Sequence, residues 1–111
     1  MAKGGAGPRL KGDAFERAVV LDLERHGWEA MRLRQGGGED IDIIAIQACR
    51  NGYADHHWNQ PHVRFIQCKL NAISMTKAAK EALYLRAESV NAHGYLVYKR
   101  DGQIVYEELR E

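Results

Sequence analysis

Apolar residues recur every fourth position from Phe15 through Val19 to Leu23, the stripe that a helix buries against a core. The segment D-A-F-E ahead of it fits a capping box, with Asp13 as cap and Glu16 reaching back to it. A helix is therefore expected from Asp13 to about His26, with Gly27 as its stop. The period then changes. Trp28 to Arg34 alternates, with Met31 and Leu33 on one side and Arg32 and Arg34 on the other, which predicts a strand. Gln35 to Glu39 is a glycine-rich loop. Ile41 to Gln47 is almost continuously apolar and β-branched, the signature of a central strand buried on both faces.

The polar stretch from Ala48 to His62 reads as a long hairpin connection, and Val63 to Leu70 as the next strand. A second helix is expected from Ser74 or Thr76 to Asn91, with Ala79, Leu83 and Val90 at helical spacing. Leu83, Tyr84 and Val90 are assigned to the core or to a dimer interface. Tyr95 to Lys99 and Ile104 to Leu109 flank Asp101-Gly102, a turn pair that favours a two-residue hairpin. The order α-β-β-β-α-β-β predicts an α/β fold, a mixed five-stranded sheet flanked by helices, in one domain of 111 residues.

Charge adds a segregation that the net value of +1 conceals. Residues 1–12 carry Lys3, Arg9 and Lys11 without an acid, and residues 1–11 are expected to be a flexible basic arm. Residues 56–80 hold Arg64, Lys69, Lys77 and Lys80, again without an acid, whereas the C-terminal end is acidic. That distribution suits a polyanion-binding face. No apolar run is long enough for a membrane span and the start lacks a signal-peptide core, so a cytoplasmic location is expected. Cys49, His56, His57 and His62 do not have the spacing of a zinc finger.

Two strands carry polar groups where packing alone would not put them. Asp42 interrupts the isoleucine-rich strand, and a carboxylate there is costly unless it is paired or bound to a metal. On the following strand Gln67 and Lys69 lie two apart and emerge on one face, with Arg64, Ile66 and Cys68 on the other. If these strands pair, Asp42, Gln67 and Lys69 converge at one end of the sheet. Oxygen ligands beside a lysine suit phosphodiester hydrolysis assisted by Mg²⁺ or Mn²⁺. In that chemistry the lysine stabilises developing charge or orients the attacking water.

G-E-D-I-D-I-I-A-I followed by F-I-Q-C-K-L resembles the PD-(D/E)XK nuclease signature. K-G-D-A-F-E-R-A resembles the first helix of archaeal-type Holliday-junction resolvases, also known from phages. The resemblance spans roughly Lys11 to Leu109. It implies a restriction-endonuclease-like core, with Asp42 as the motif aspartate, Lys69 as the motif lysine and Glu16 as the first-helix glutamate. Glu16 also has its capping reading, and the two roles are compatible. Where the family usually carries a second acid, this chain has Gln67, a neutral ligand. Asp40 is a candidate further metal ligand, with a turn role as its alternative.

The function implied is a homodimeric, Mg²⁺-dependent endonuclease that resolves four-way DNA junctions by paired symmetric nicks. Lys3, Arg9, Lys11, Arg17, Arg32, Arg34, Gly37 and Lys77 are the expected contacts to DNA phosphates. The alternatives are a related nuclease acting on flaps or duplex, and a junction-binding protein that Gln67 has disabled.

Overall fold

A computed structural model describes residues 12–33, 41–48, 61–70 and 75–110 in full, and residues 3–11 as helical backbone. The elements are α1 (Lys3–Arg25), β1 (Glu29–Arg32), β2 (Ile43–Gln47), β3 (His62–Cys68), α2 (Lys77–Glu88), β4 (His93–Arg100) and β5 (Gln103–Glu108). The order is the one that the periodicity predicts. The five strands form one sheet in chain order; every neighbouring pair is antiparallel except β3 and β4, which are parallel. A parallel pair needs a crossover, and α2 is that crossover.

Helix α1 covers one face. Phe15, Val19 and Leu23 meet Ile43, Ala45, Ile66 and Val97, all buried. On the other face, Leu83 of α2 packs with Ile41, Met75, Leu96, Tyr98 and Leu109. At roughly 1.5–3 kcal/mol for each large aliphatic side chain fully removed from water, these two layers are the main source of cohesion.

Helix ends and turns follow local chemistry. Gly27 has φ 87° and its N–H donates to Glu24 O at 3.1 Å, while Trp28 N–H donates to Leu23 O at 3.0 Å. Those two bonds make a Schellman stop, with glycine in the left-handed position it requires. Thr76 caps α2 by accepting from Ala79 N–H at 3.1 Å. Asp101 and Gly102 have φ of 52° and 78°, as a two-residue turn matched to strand twist demands.

The departures from expectation have physical causes. The first helix begins at Lys3, not at an Asp13 cap, so the segment expected as an arm forms its first turns. Asp13 is not free to cap, because Arg32 and Arg17 take its carboxylate. With helix ahead of it, the following N–H groups need no side-chain acceptor. β2 starts only at Ile43, and Ile44 and Ile46 are half-buried rather than fully covered. The reason is position: β2 lies next to the edge strand β1, beyond the reach of most of α2. Met31 and Leu33 on that side are exposed, as is Val90, which falls in the turn after α2. Among the described residues no helix is long and apolar enough to cross a membrane.

Candidate active site

The end of the sheet where β2 begins and β3 finishes gathers the charged groups. Asp42 stands one residue ahead of β2; its N–H donates to Ile66 O and its carbonyl accepts from Leu33 N–H, both at 2.8 Å. The backbone is thus fixed from both neighbouring strands. Its carboxylate Oδ2 accepts from Cys68 N–H at 2.8 Å. Burial pushes Asp42 above the usual carboxylate range, more than the Cys68 N–H and the charges of Lys69 and Arg32 pull it down. Lys69 follows β3 directly and is tied by its N–H to Val97 O at 2.9 Å.

From above, α1 contributes Glu16, one turn before Val19 on the packed stripe. Its side chain is only 15% exposed. Burial raises its pKa first and the nearby Asp42 charge adds to the rise, against the pull of Arg32. Arg32 of β1 lies between the acids: its Nη2 and Nε donate to Glu16 Oε1 at 3.0 and 3.3 Å, and Nη2 also donates to Asp13. Arg17, one turn on, pairs with Asp13 at 3.0 Å. The site is therefore two half-buried carboxylates, Glu16 and Asp42, with Lys69 and Arg32 as opposing cations.

Gln67 precedes Cys68 on β3. Continuing the β2–β3 register from Ile43 and Ile66 sets it opposite Asp42. It shares the alternation phase of Phe65, which packs in the α2 layer, and its carboxamide forms no hydrogen bond among the described residues. Cys68 lies in the α1 layer, and burial pushes its thiol far above the usual range, which favours the neutral thiol.

The structure thus brings Glu16, Asp42 and Lys69 to one place, with Gln67 adjacent by register. Arg17 is largely exposed, and Lys77 is the exposed first residue of α2. Arg34, Gly37 and Asp40 lie outside the described residues, and the side chains of Lys3, Arg9 and Lys11 are likewise not described. Asp13 is the participant that sequence reasoning missed. Its place in a capping box supplied a sufficient reason for it, and only the return of β1 alongside α1 reveals Arg32 as its partner.

The donor chemistry fits a hard divalent cation. Asp42 Oδ1, Glu16 Oε2 and the Gln67 carboxamide are oxygens without a hydrogen bond among the described residues, and a cation such as Mg²⁺ takes oxygen ligands. Among the described residues no three His, Cys, Asp or Glu side chains form a ready cage, so a site built from these residues relies on the neutral Gln67.

No family model matches the chain, and no curated protein matches it either. Among solved structures, it is similar to Hjc, a Holliday junction resolvase from the archaeal hyperthermophile Archaeoglobus fulgidus, with a TM-score of 0.60 at 22% sequence identity. The match covers 89% of this chain and 73% of Hjc. The fold is accordingly Hjc-like: a restriction-endonuclease-type α/β architecture with a five-stranded mixed sheet between helices.

Proposed function

We propose that this chain is a metal-dependent endonuclease of the PD-(D/E)XK type that resolves four-way DNA junctions as a homodimer. The observation that carries the reading is the meeting of Glu16, Asp42 and Lys69 at one end of an Hjc-like sheet, where Asp42 is held against its own burial cost. A carboxylate kept in such a place, where its internal partners do not offset its burial, is the expected mark of a functional site. The similarity to a resolvase at the level of fold supports junctions as the substrate class.

In this reading Asp42 Oδ1, Glu16 Oε2 and Gln67, with Asp40 as a further candidate, hold Mg²⁺ or Mn²⁺. When bound, the ion supplies an activated water and offsets charge on the phosphoryl group. The Cys68 N–H orients the Asp42 carboxylate, and the Lys69 ammonium stabilises negative charge on the phosphate in a partly desolvated setting. Arg17 and Lys77, both exposed, contribute phosphate contacts that fix the DNA without reading sequence. Two symmetric nicks call for two equivalent sites, which a two-fold dimer supplies.

The test is a synthetic four-way junction and a linear duplex of the same sequence, each incubated with Mg²⁺ and with EDTA. Paired nicks in the junction, dependent on metal, are expected; equal cutting of the duplex would move the protein to a general nuclease. The second reading, a junction-binding protein without catalysis, rests on the neutral Gln67. Tight junction binding without cleavage, with cutting restored by Gln67→Glu, would establish it.

A further inference from the structure

Arg32 has a peculiar placement for a residue beside a metal end. Its guanidinium sits between two carboxylates, and both of its hydrogen bonds to Glu16 fall on a single oxygen, Oε1. Glu16 Oε2 has no partner among the described residues. Arg32 is only one-third exposed, and its positive charge also acts on Asp42. Before any divalent ion enters, Glu16 and Asp42 thus already face the positive charges of Arg32 and Lys69 among the described residues, and Gln67 adds no charge. An ion drawn to Glu16 must compete with a cation already there. Asp13 offers that cation another acceptor, and it is the carboxylate that Arg32 would retain if Glu16 were drawn away.

We propose that Arg32 is an internal counter-ion of Glu16 which a divalent cation must displace, and that Asp13 keeps the displaced guanidinium. The inference rests on the nuclease reading, because it takes Glu16 as a metal ligand. It makes Arg32 and Asp13 positioning residues, neither of which is a ligand of the ion. It also gives the two residues opposite signs. Arg32 weakens metal binding by charge, and Asp13 strengthens it by holding Arg32 off.

The experiment is a titration of the full-length protein with Mn²⁺ at neutral pH and low salt without DNA, following the free-ion EPR signal. Wild type is compared with Arg32→Met, Arg32→Lys, Asp13→Asn and Asp42→Asn, each checked for fold by circular dichroism. Arg32→Met should bind Mn²⁺ roughly three- to tenfold more tightly, the effect of removing one charge several ångströms from a divalent ion in a solvated site. Arg32→Lys keeps the charge and should stay within about twofold of wild type, and Asp13→Asn should bind more weakly. A merely structural role would not give these opposite signs. Because Asp13 acts through Arg32, the Asp13→Asn loss should vanish in the Arg32→Met background, where a bystander charge would act unchanged; a loss that persists there overturns the holding role.

Unchanged or weaker binding in Arg32→Met, with binding lost in Asp42→Asn, overturns the counter-ion and leaves the nuclease reading standing. Unchanged binding in Asp42→Asn removes the metal end itself and the inference with it. If Arg32→Met fails to fold, Arg32→Gln takes its place in the comparison with Asp13→Asn: tighter binding supports the proposal and equal or weaker binding overturns it.

Discussion

Replacing Asp42 by asparagine separates what the site does from what it costs. The carboxylate is half-buried, takes one hydrogen bond from Cys68 N–H at 2.8 Å, and is drawn toward ionisation by Lys69 and Arg32. Those pulls do not offset burial, because its pKa stands above the ordinary range. The sign follows. A carboxyl with a raised folded-state pKa is more easily protonated folded than unfolded, so its ionisation destabilises the fold at neutral pH. That penalty disappears as pH falls below the ordinary carboxylate value.

Asparagine keeps an oxygen for the Cys68 N–H and discards the charge. A charge-assisted bond of about 1.5–3 kcal/mol becomes a neutral one of about 0.5–1.5. The desolvation of the carboxylate, the larger effect here, is relieved at the same time. The net is a stabilisation on the order of 1 kcal/mol, within the roughly 0.5–2 kcal/mol that single stabilising substitutions commonly give. For a chain of this size that is a Tm rise of roughly 4–8 °C. The assay is thermal unfolding in EDTA by circular dichroism, repeated with Mg²⁺. Asp42→Asn should melt higher than wild type in EDTA, lose junction cleavage and keep junction binding. Mg²⁺ should raise the Tm of wild type alone, since only a protein that binds the ion gains from it. A lower Tm for Asp42→Asn in EDTA would refute the argument, because the Cys68 bond would then outweigh burial.

Other perturbations reach different parts of the structure. Gln67→Glu adds a charge to the oxygen set, so cleavage should saturate at lower Mg²⁺, read from rate against metal concentration; no change would remove Gln67 from the ligands. Carbon-13 NMR titration of the metal-free protein should place the Glu16 and Asp42 midpoints above those of its exposed carboxylates, as burial requires. Leu83→Ala, at the centre of the α2 layer and fully buried, should cost about 2–5 kcal/mol in urea unfolding. Arg64→Met removes a guanidinium held 4.2 Å from the Trp28 ring and 4.3 Å from the Tyr95 ring, and should cost about 1–2 kcal/mol by the same assay.

How much of this was legible in the chain depends on the range of the interaction. The Gly27 stop, the Asp101-Gly102 turn and the strand alternation that sets Ile66 and Cys68 together on the α1 face are local, and each was readable from a few neighbouring residues. Asp42 was legible because a carboxylate violates its immediate surroundings. The Arg64 cage was not: Trp28, Arg64, Tyr95 and Tyr106 are far apart in sequence and meet only when β1, β3, β4 and β5 are in register. The helix start was misjudged for a related reason. D-A-F-E satisfies a local rule, but the Asp13 carboxylate has a better partner nineteen residues downstream, where Glu16 and Asp13 both meet Arg32.

That last case shows why one residue pattern can have two physical readings without either being empty. Asp13 and Glu16 are three apart, the spacing of a capping box and equally the spacing that puts two carboxylates on one helical face. With helix continuing ahead of Asp13, the first use lapses and the second remains: a pair of acids facing whatever strand packs beneath. β1 supplies Arg32 there, and Arg32 reaches both. The acids then do unequal work. Asp13, more exposed and pulled below its ordinary pKa by Arg32, stays an anion that anchors the guanidinium. Glu16, more buried and raised by burial and by Asp42, is the member that gains most from a stronger cation than Arg32. Burial and the neighbouring Asp42, more than spacing, separate anchor from ligand candidate in this helix.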